Sequence, residues 1–252
     1  MNTEEQEIFS KVPEVTLVFW IIKILATTLG ETGGDAVSMS MDFGYLVSTG
    51  IFAAIFIGAV MAQVSAKKFH PVIYWTTIIA STTVGTTLAD FADRSLGIGY
   101  AGGTTILFTL LMASLLLWHR TLGSVAVDTV SSPKSEMFYW VTIMFSQTLG
   151  TALGDWTADT ADLGYGGGAL VFGAMLAIVA AAYYRTKISH TVLFWAAFIL
   201  TRPLGAVVGD FLDKPISHGG LELSRYSASA TLIVLIVACI FVFSHKPARR
   251  GH

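Results

Sequence analysis

Long apolar segments separated by short polar ones dominate this sequence. Each segment is continuously apolar, which is unlike the alternating pattern of an outer-membrane β-barrel strand. A helix of about 20 residues crosses the hydrocarbon core of a bilayer. The pattern therefore predicts eight transmembrane helices, near residues 14–35, 46–66, 71–90, 101–119, 137–155, 165–184, 191–210 and 226–244.

The composition also indicates a membrane protein. Of the 252 residues, 54% are hydrophobic and only 13% are charged, whereas soluble domains have about 25% charged residues. The formal net charge of -2 excludes a basic face for nucleic acid, and the single cysteine, Cys239, excludes a disulfide scaffold. The lipid bilayer is thus the expected partner, and no nucleic acid is expected to bind.

The basic residues predict the orientation of the helices. The loops outside the apolar segments carry Arg94, Lys214 and Arg225 on one side. The other side, including both tails, carries Lys11, Lys67, Lys68, Arg120, Lys134, Arg185, Lys187, Lys246, Arg249 and Arg250. The positive-inside rule then places both termini in the cytoplasm. The N-terminal acids Glu4, Glu5 and Glu7 replace the basic region of a signal peptide, so no cleaved signal is expected.

An internal repeat organises the chain. Each repeat has a tryptophan at the same place: Trp20, Trp75, Trp140 and Trp195. Ten residues after each tryptophan comes a glycine: Gly30, Gly85, Gly150 and Gly205. Fifteen residues after each tryptophan comes an aspartate: Asp35, Asp90, Asp155 and Asp210. We predict an all-α polytopic membrane protein with one transmembrane domain, residues 1–252. It is expected to contain four parallel two-helix repeats, residues 14–66, 71–119, 136–185 and 190–244, in two halves offset by 120 residues.

The glycines predict which helices lie inside the bundle. Small residues four apart occur in every odd-numbered helix, as Gly30/Gly34, Gly85/Ala89, Gly150/Gly154 and Gly205/Gly209. Such pairs allow helix backbones to approach closely in lipid. The odd-numbered helices are therefore predicted to form an inner ring, with the even-numbered ones outside. The tryptophans near the helix starts are predicted to be interface anchors.

Four tandem repeats, each with two transmembrane helices and one tryptophan, resemble a bacterial membrane protein family known only as a repeat of unknown function. The resemblance covers nearly the whole chain and implies an inner-membrane location. The segment from Glu31 to Asp35 is also similar to the Glu-x-Gly-Asp motif of manganese/calcium cation–proton exchangers, with one extra residue. The other repeats have Thr86, Thr151 and Ala206 in place of Glu31.

Each repeat places two acids at helical spacing near the end of its first helix. The pairs are Glu31/Asp35, Asp90/Asp93, Asp155/Asp159 and Asp210/Asp213. Such residues share a helix face, and the negative end of the helix dipole disfavours carboxylates there. Because only three basic residues lie on that side, we expect a bound cation, protons or water to compensate the acids. In the alternative interpretation, the aspartates lie at the outer interface as solvated helix ends.

Further polar residues extend this pattern into the membrane. Thr27, Thr82, Thr86, Gln147 and Thr151 are predicted to line a polar pathway. Arg202 lies inside an odd-numbered helix just before Pro203, and a buried cation needs a partner. We predict that Arg202 forms an ion pair with Glu31.

The candidate site favours cation transport. Carboxylate, hydroxyl and carbonyl oxygens are hard donors that suit Mn²⁺, Ca²⁺ or Mg²⁺. The sequence therefore predicts a secondary carrier or exporter of such an ion, with protons as the exchanged species and no organic cofactor. Asp35, Asp90, Asp155 and Asp210 are the expected core ligands, assisted by Glu31, Asp93, Asp159 and Asp213.

The sequence also bears on two other classes of function, an enzyme and a scaffold. No paired histidines, nucleophile motif or phosphate-binding loop indicates an enzyme. The alternative is a membrane scaffold that transports nothing and binds the basic segment of a partner through its acidic outer face.

Overall fold

The computed structural model describes residues 10–160 and 163–248. Glu4, Glu5, Glu7, Arg249 and Arg250, which entered the orientation and signal-peptide predictions, lie outside these ranges. Within them the chain forms eight long helices. These are α1 (Leu17–Asp35), α2 (Gly44–Ser65), α3 (Pro71–Asp90), α4 (Tyr100–Leu122), α5 (Pro133–Asp155), α6 (Gly164–Arg185), α7 (His190–Asp213) and α8 (Arg225–Val242).

The helices confirm the predicted fold class, an all-α polytopic membrane protein. Seven of them are long and apolar enough to cross a membrane, and α5 is not among these seven. The face of α5 that is buried in the bundle carries Ser146, Gln147, Thr148 and Thr151, which lower its mean hydropathy. Since α5 has 23 residues and packs between α3 and α7, it completes the predicted set of eight.

The four odd-numbered helices form a closed ring. Each packs against two others, in the order α1, α3, α5, α7 and back to α1. The even-numbered helices lie outside, each on the first helix of the next repeat: α2 on α3, α4 on α5, α6 on α7 and α8 on α1. This is the predicted inner ring and outer layer.

Glycines set the close approach within the ring. A Cβ atom added at Gly30 of α1 would overlap Thr82 of α3, and one added at Gly205 of α7 would overlap Thr27 of α1. The same relation therefore holds between the first and second repeats and between the fourth and first. Close helix packing of this kind is a main source of stability in lipid.

The two ends of the bundle are different. We call the end where the odd-numbered helices begin the tryptophan end and the end where they finish the aspartate end. At the tryptophan end, a buried layer of aromatic side chains crosses the bundle: Phe19, Tyr74, Tyr139 and Phe194, each one residue before a repeat tryptophan. The Tyr74 and Tyr139 hydroxyls are hydrogen-bonded to each other at 2.6 Å.

The prediction that the tryptophans are interface anchors is wrong for three of them. Trp75, Trp140 and Trp195 are 0%, 2% and 4% exposed, and they pack against the aromatic layer. The Trp195 indole N–H donates to the Val125 carbonyl at 2.9 Å. Only Trp20 is half-buried.

Segments near the two ends of the described chain are joined at the tryptophan end. The Ala248 backbone N–H donates to the Val12 carbonyl at 2.8 Å, and the Glu14 N–H donates to the Lys246 carbonyl at 2.9 Å. The Lys11 ammonium lies 2.7 Å from the Glu136 carboxylate of α5, and both side chains are nearly buried. This ion pair connects the N-terminal segment to the ring.

Replacing Lys11 by methionine is expected to lower the free energy of unfolding by about 3 kcal/mol, because Glu136 is then a buried carboxylate without its partner. Thermal unfolding of the purified protein measures this loss. Adding Glu136→Gln is expected to recover part of the stability. Strictly additive effects of the two substitutions would show that the ion pair does not contribute.

Candidate functional site

Three buried layers of side chains cross the ring. Each layer takes one residue from each odd-numbered helix, and successive layers are four residues apart along the helix. One layer consists of Thr27, Thr82, Gln147 and Arg202; the next of Glu31, Thr86, Thr151 and Ala206; the last of Asp35, Asp90, Asp155 and Asp210. Residues four apart lie on one helix face. The repeat positions therefore place equivalent residues of all four repeats at the same depth.

Arg202 bridges the middle of the bundle. Its Nη2 atom lies 3.0 Å from Glu31 Oε2 of α1, the partner predicted from sequence, and also donates to the hydroxyls of Thr86 in α3 and Thr151 in α5. These three acceptors occupy equivalent positions in the first three repeats. The equivalent position in the fourth repeat is Ala206, which has no polar side-chain group. One guanidinium thus joins all four inner helices.

The four repeat aspartates are buried at the aspartate end, with exposed fractions of 1% to 3%. They are therefore not solvated helix ends, and that alternative is wrong. Arg94 and Lys214 each bridge two of these carboxylates. One positive charge cannot neutralise two negative ones, so the expected shortage of basic residues on this side remains. Arg94 lies 2.9 Å from Asp90 and 3.5 Å from Asp155.

Lys214 plays the equivalent part for the other two aspartates. Its ammonium contacts Asp35 and lies 3.1 Å from Asp210. Burial alone would lower the pKa of Lys214, but the carboxylates of Asp210 and Asp35 outweigh that effect and raise it above its ordinary value. Arg94 and Lys214 are 120 residues apart and therefore occupy equivalent positions in the two halves of the chain. Each bridges one aspartate from each half.

The second acid of each pair does not form a common set. Asp213 is buried and lies 2.8 Å from Arg225, close to the aspartate ring. Asp93 is half-buried beside Gly103 of α4. Asp159 is exposed and accepts a hydrogen bond from the Tyr100 hydroxyl at 2.9 Å. The prediction that Asp93 and Asp159 share the inward face is wrong.

Local helix geometry explains this difference. After Asp35, Asp90 and Asp155 the helix continues as a π-helical turn, over Ala36–Ser40, Phe91–Ser95 and Trp156–Thr160. A π turn has more residues per turn than an α-helix, so the residues that follow rotate away from the ring. In the fourth repeat α7 stays α-helical to Asp213, and Asp213 faces inward.

One group of carboxylates is close enough together to hold a metal ion. Glu31, Asp35 and Asp210 each offer an oxygen, and the three oxygens lie within 4.8 Å of one another. Within the described ranges, Asp35 Oδ1 is buried and has no hydrogen-bond partner. Asp90 and Asp155 are not part of this group. The four predicted core ligands thus divide into two pairs. Asp90 and Asp155 are bound by Arg94, and Asp35 and Asp210 form the candidate metal group with Glu31.

The other predicted pathway residues are buried and hydrogen-bonded between helices. Thr27 donates to the Thr201 carbonyl at 3.2 Å, and Thr82 donates to the Ala26 carbonyl at 3.1 Å. The Gln147 amide donates to Ser81 at 3.4 Å. These contacts join neighbouring helices of the ring beneath the carboxylates.

Two cations of the site, Arg94 and Lys214, were not predicted as site residues, because the sequence places both in loops. Arg94 and Lys214 each follow a repeat aspartate by four residues, a spacing that favours ion pairs on a helix. That signal was present in the sequence. Lys23 is also buried, and its Nζ atom lies 4.2 Å from the centre of the Phe198 ring.

Comparisons with known proteins identify the repeat. The family model described as Repeat of Unknown Function (DUF347) matches residues 18–69, 73–124, 138–189 and 193–246. No curated protein and no solved structure matches the chain. Each match coincides with one hairpin of an inner and an outer helix. Because the matches cover most of the sequence, the chain belongs to the DUF347 family and contains four tandem copies of its repeat.

Proposed function

We propose that the protein is a secondary transporter of a hard divalent cation such as Mn²⁺, Ca²⁺ or Mg²⁺. The observation that carries this proposal is the group of Glu31, Asp35 and Asp210 at the end of the ring, with oxygens within 4.8 Å of one another. All three side chains are buried, and buried carboxylates within a membrane domain are characteristic of ion pathways. Hard oxygen donors match these ions.

The Lys214 ammonium competes with a divalent ion for the carboxylates of this site. Its ammonium contacts Asp35 and Asp210, and its side chain is 12% exposed, so it lies at the rim of the site. A divalent ion that arrives from the aspartate end replaces this single positive charge with two. Lys214 directly follows the last residue of α7. Displacement of its ammonium by a bound metal ion can therefore shift the conformation of that helix.

Arg202 connects the site to the rest of the pathway. Glu31 is shared between the metal-site oxygens and the Arg202 guanidinium. While Arg202 is in place, its charge opposes the passage of a cation, and the aromatic layer closes the tryptophan end. An ion that binds Glu31 competes with Arg202, and the release of Arg202 from Glu31 is the step that opens the ring.

Protons are the proposed counter-ion. A carboxylate must be deprotonated to hold a metal ion, so protons and a divalent ion compete for the same oxygens. We further propose that the protein lies in a bacterial inner membrane with its tryptophan end in the cytoplasm, as the basic residues and the positive-inside rule indicate. The metal site then faces outward. Burial of the carboxylates argues against a scaffold, because a partner's basic segment has no direct access to them.

The first test is metal-dependent stability of the full chain in detergent. A saturating ion that binds only the folded protein adds roughly 3 kcal/mol at a hundredfold excess over its Kd. We expect Mn²⁺, Ca²⁺ or Mg²⁺ to raise Tm by several degrees, and the double variant Asp35→Asn/Asp210→Asn to lose this shift.

Asp159→Asn is the matched control, because it removes an exposed carboxylate at the same end of the bundle. It should keep the full shift in Tm. Uptake of the same ion into proteoliposomes with an opposing pH gradient then tests transport. An equal Tm with and without all three ions, or an unchanged shift in the double variant, would contradict the proposal.

A further inference from the structure

A large groove lies on the outside of the ring at the tryptophan end. Its volume is about 880 Å³, and it is formed by the start of α1, the end of α6 and the first half of α7. Four aromatic side chains line it: Trp20, Tyr183, Tyr184 and Phe194. The groove lies between the outer helix α6 and the ring helices α1 and α7, on the outer surface of the bundle and away from the aspartate site.

The groove is much larger than its equivalent in the second repeat. The equivalent groove beside Trp75 and α8 has a volume of about 110 Å³, and its lining is apolar except for Thr76. Trp75 is fully buried, whereas Trp20 remains half-buried beside the larger groove. Repeat packing alone therefore does not explain the larger space, since the same packing leaves much less space beside Trp75.

The larger groove has an acidic rim. Glu14 and Asp128 both line it, and in the described part of the chain neither lies within ion-pair distance of a basic residue. Asp128 Oδ1 is buried without a hydrogen-bond partner there. The remaining ionisable lining groups are Tyr183, Tyr184 and His190, and the His190 ring stacks on Tyr183 at 4.6 Å.

We propose that this groove binds a lipophilic organic cation that enters from the surrounding lipid. The aromatic walls hold its apolar body and attract its positive charge through their π-faces, while Glu14 and Asp128 pair with the charged group. A large apolar pocket with a few polar groups is the usual form of a small-molecule site. The groove shares no residue with the metal site, so this inference is independent of the proposed transport of divalent ions.

Tetraphenylphosphonium is a suitable probe, with tetraphenylborate as a control of the same shape and opposite charge. Binding to the full chain in lipid nanodiscs is measured by equilibrium dialysis, with empty nanodiscs subtracted. We expect saturable binding of the phosphonium and none of the borate. The double variant Glu14→Gln/Asp128→Asn should weaken phosphonium binding about tenfold, as expected for the loss of two partly exposed ion pairs.

Two further variants separate this effect from misfolding. Asp42→Asn removes an acid at the opposite end and should leave the affinity unchanged, and Trp20→Leu should weaken binding while the melting curve stays that of a folded protein. Equal binding of both probes, or full affinity in the acid double variant, would overturn the proposal. Displacement of the phosphonium by added phosphatidylethanolamine at matched concentration would show a lipid site instead and would also overturn it.

Discussion

Arg202→Gln is expected to lower the free energy of unfolding by about 3 to 5 kcal/mol, as the removal of one partner from a buried ion pair does. The Arg202 side chain is fully buried, and its loss leaves Glu31 without a cation. Thr86 and Thr151 also lose a donor. Because Arg202 contacts all three other inner helices, the loss affects the whole ring. Thermal unfolding in detergent, read by size-exclusion chromatography, measures it.

The double variant Arg202→Gln/Glu31→Gln is expected to be more stable than Arg202→Gln alone. Removing both charges leaves two amides that can hydrogen-bond, whereas removing one leaves an uncompensated carboxylate. Arg120→Gln is the matched control, since Arg120 is exposed in the last turn of α4 and should matter little. If the losses from the two single substitutions simply add, the ion pair has no energetic role.

Gly205→Leu is expected to prevent closure of the ring and to cost more than about 3 kcal/mol, beyond the usual range for overpacking. An added Cβ atom would overlap both the side chain and the backbone of Thr27. Backbone on the facing helix cannot move aside as the end of a flexible side chain can. The contact joins the fourth repeat to the first, so α1 and α7 must separate. Loss of the monodisperse folded protein on purification is the expected result.

Gly58→Leu in α2 provides the control for size and helix propensity. Nothing lies within 4 Å of a Cβ atom added at Gly58, and this residue is exposed on the outer layer. Leucine is a better helix former than glycine, so this variant should be at least as stable as the original. If both leucine variants unfolded equally easily, close packing at Gly205 would not be the cause.

The architecture could be predicted because the repeat fixes it. One tryptophan, one glycine and one aspartate at constant spacing define the helix, its packing face and the register between repeats. The same register predicted the approach of Arg202 to Glu31, since the two positions lie one helical turn apart in equivalent helices. Periodicity therefore carried most of the information about the ring.

The details of the aspartate end could not be predicted in the same way. Sequence spacing assumes a regular α-helix, and the π turns after Asp90 and Asp155 rotate Asp93 and Asp159 out of the ring. Treating the four aspartates as equivalent also ignored that only the second and fourth repeats supply a cation four residues later, Arg94 and Lys214. These two residues reduce a fourfold pattern to a twofold one.

Closure of the ring through α7 and α1 has a consequence for biosynthesis. Glu31 enters the membrane with the first hairpin, but Arg202 is 171 residues further along the chain. Until the last repeat leaves the ribosome, one flank of α1 lacks both α7 and α8, and its glutamate has no guanidinium to meet. The nascent protein must therefore keep an acidic residue protonated or hydrated during insertion, and final assembly waits for the end of translation.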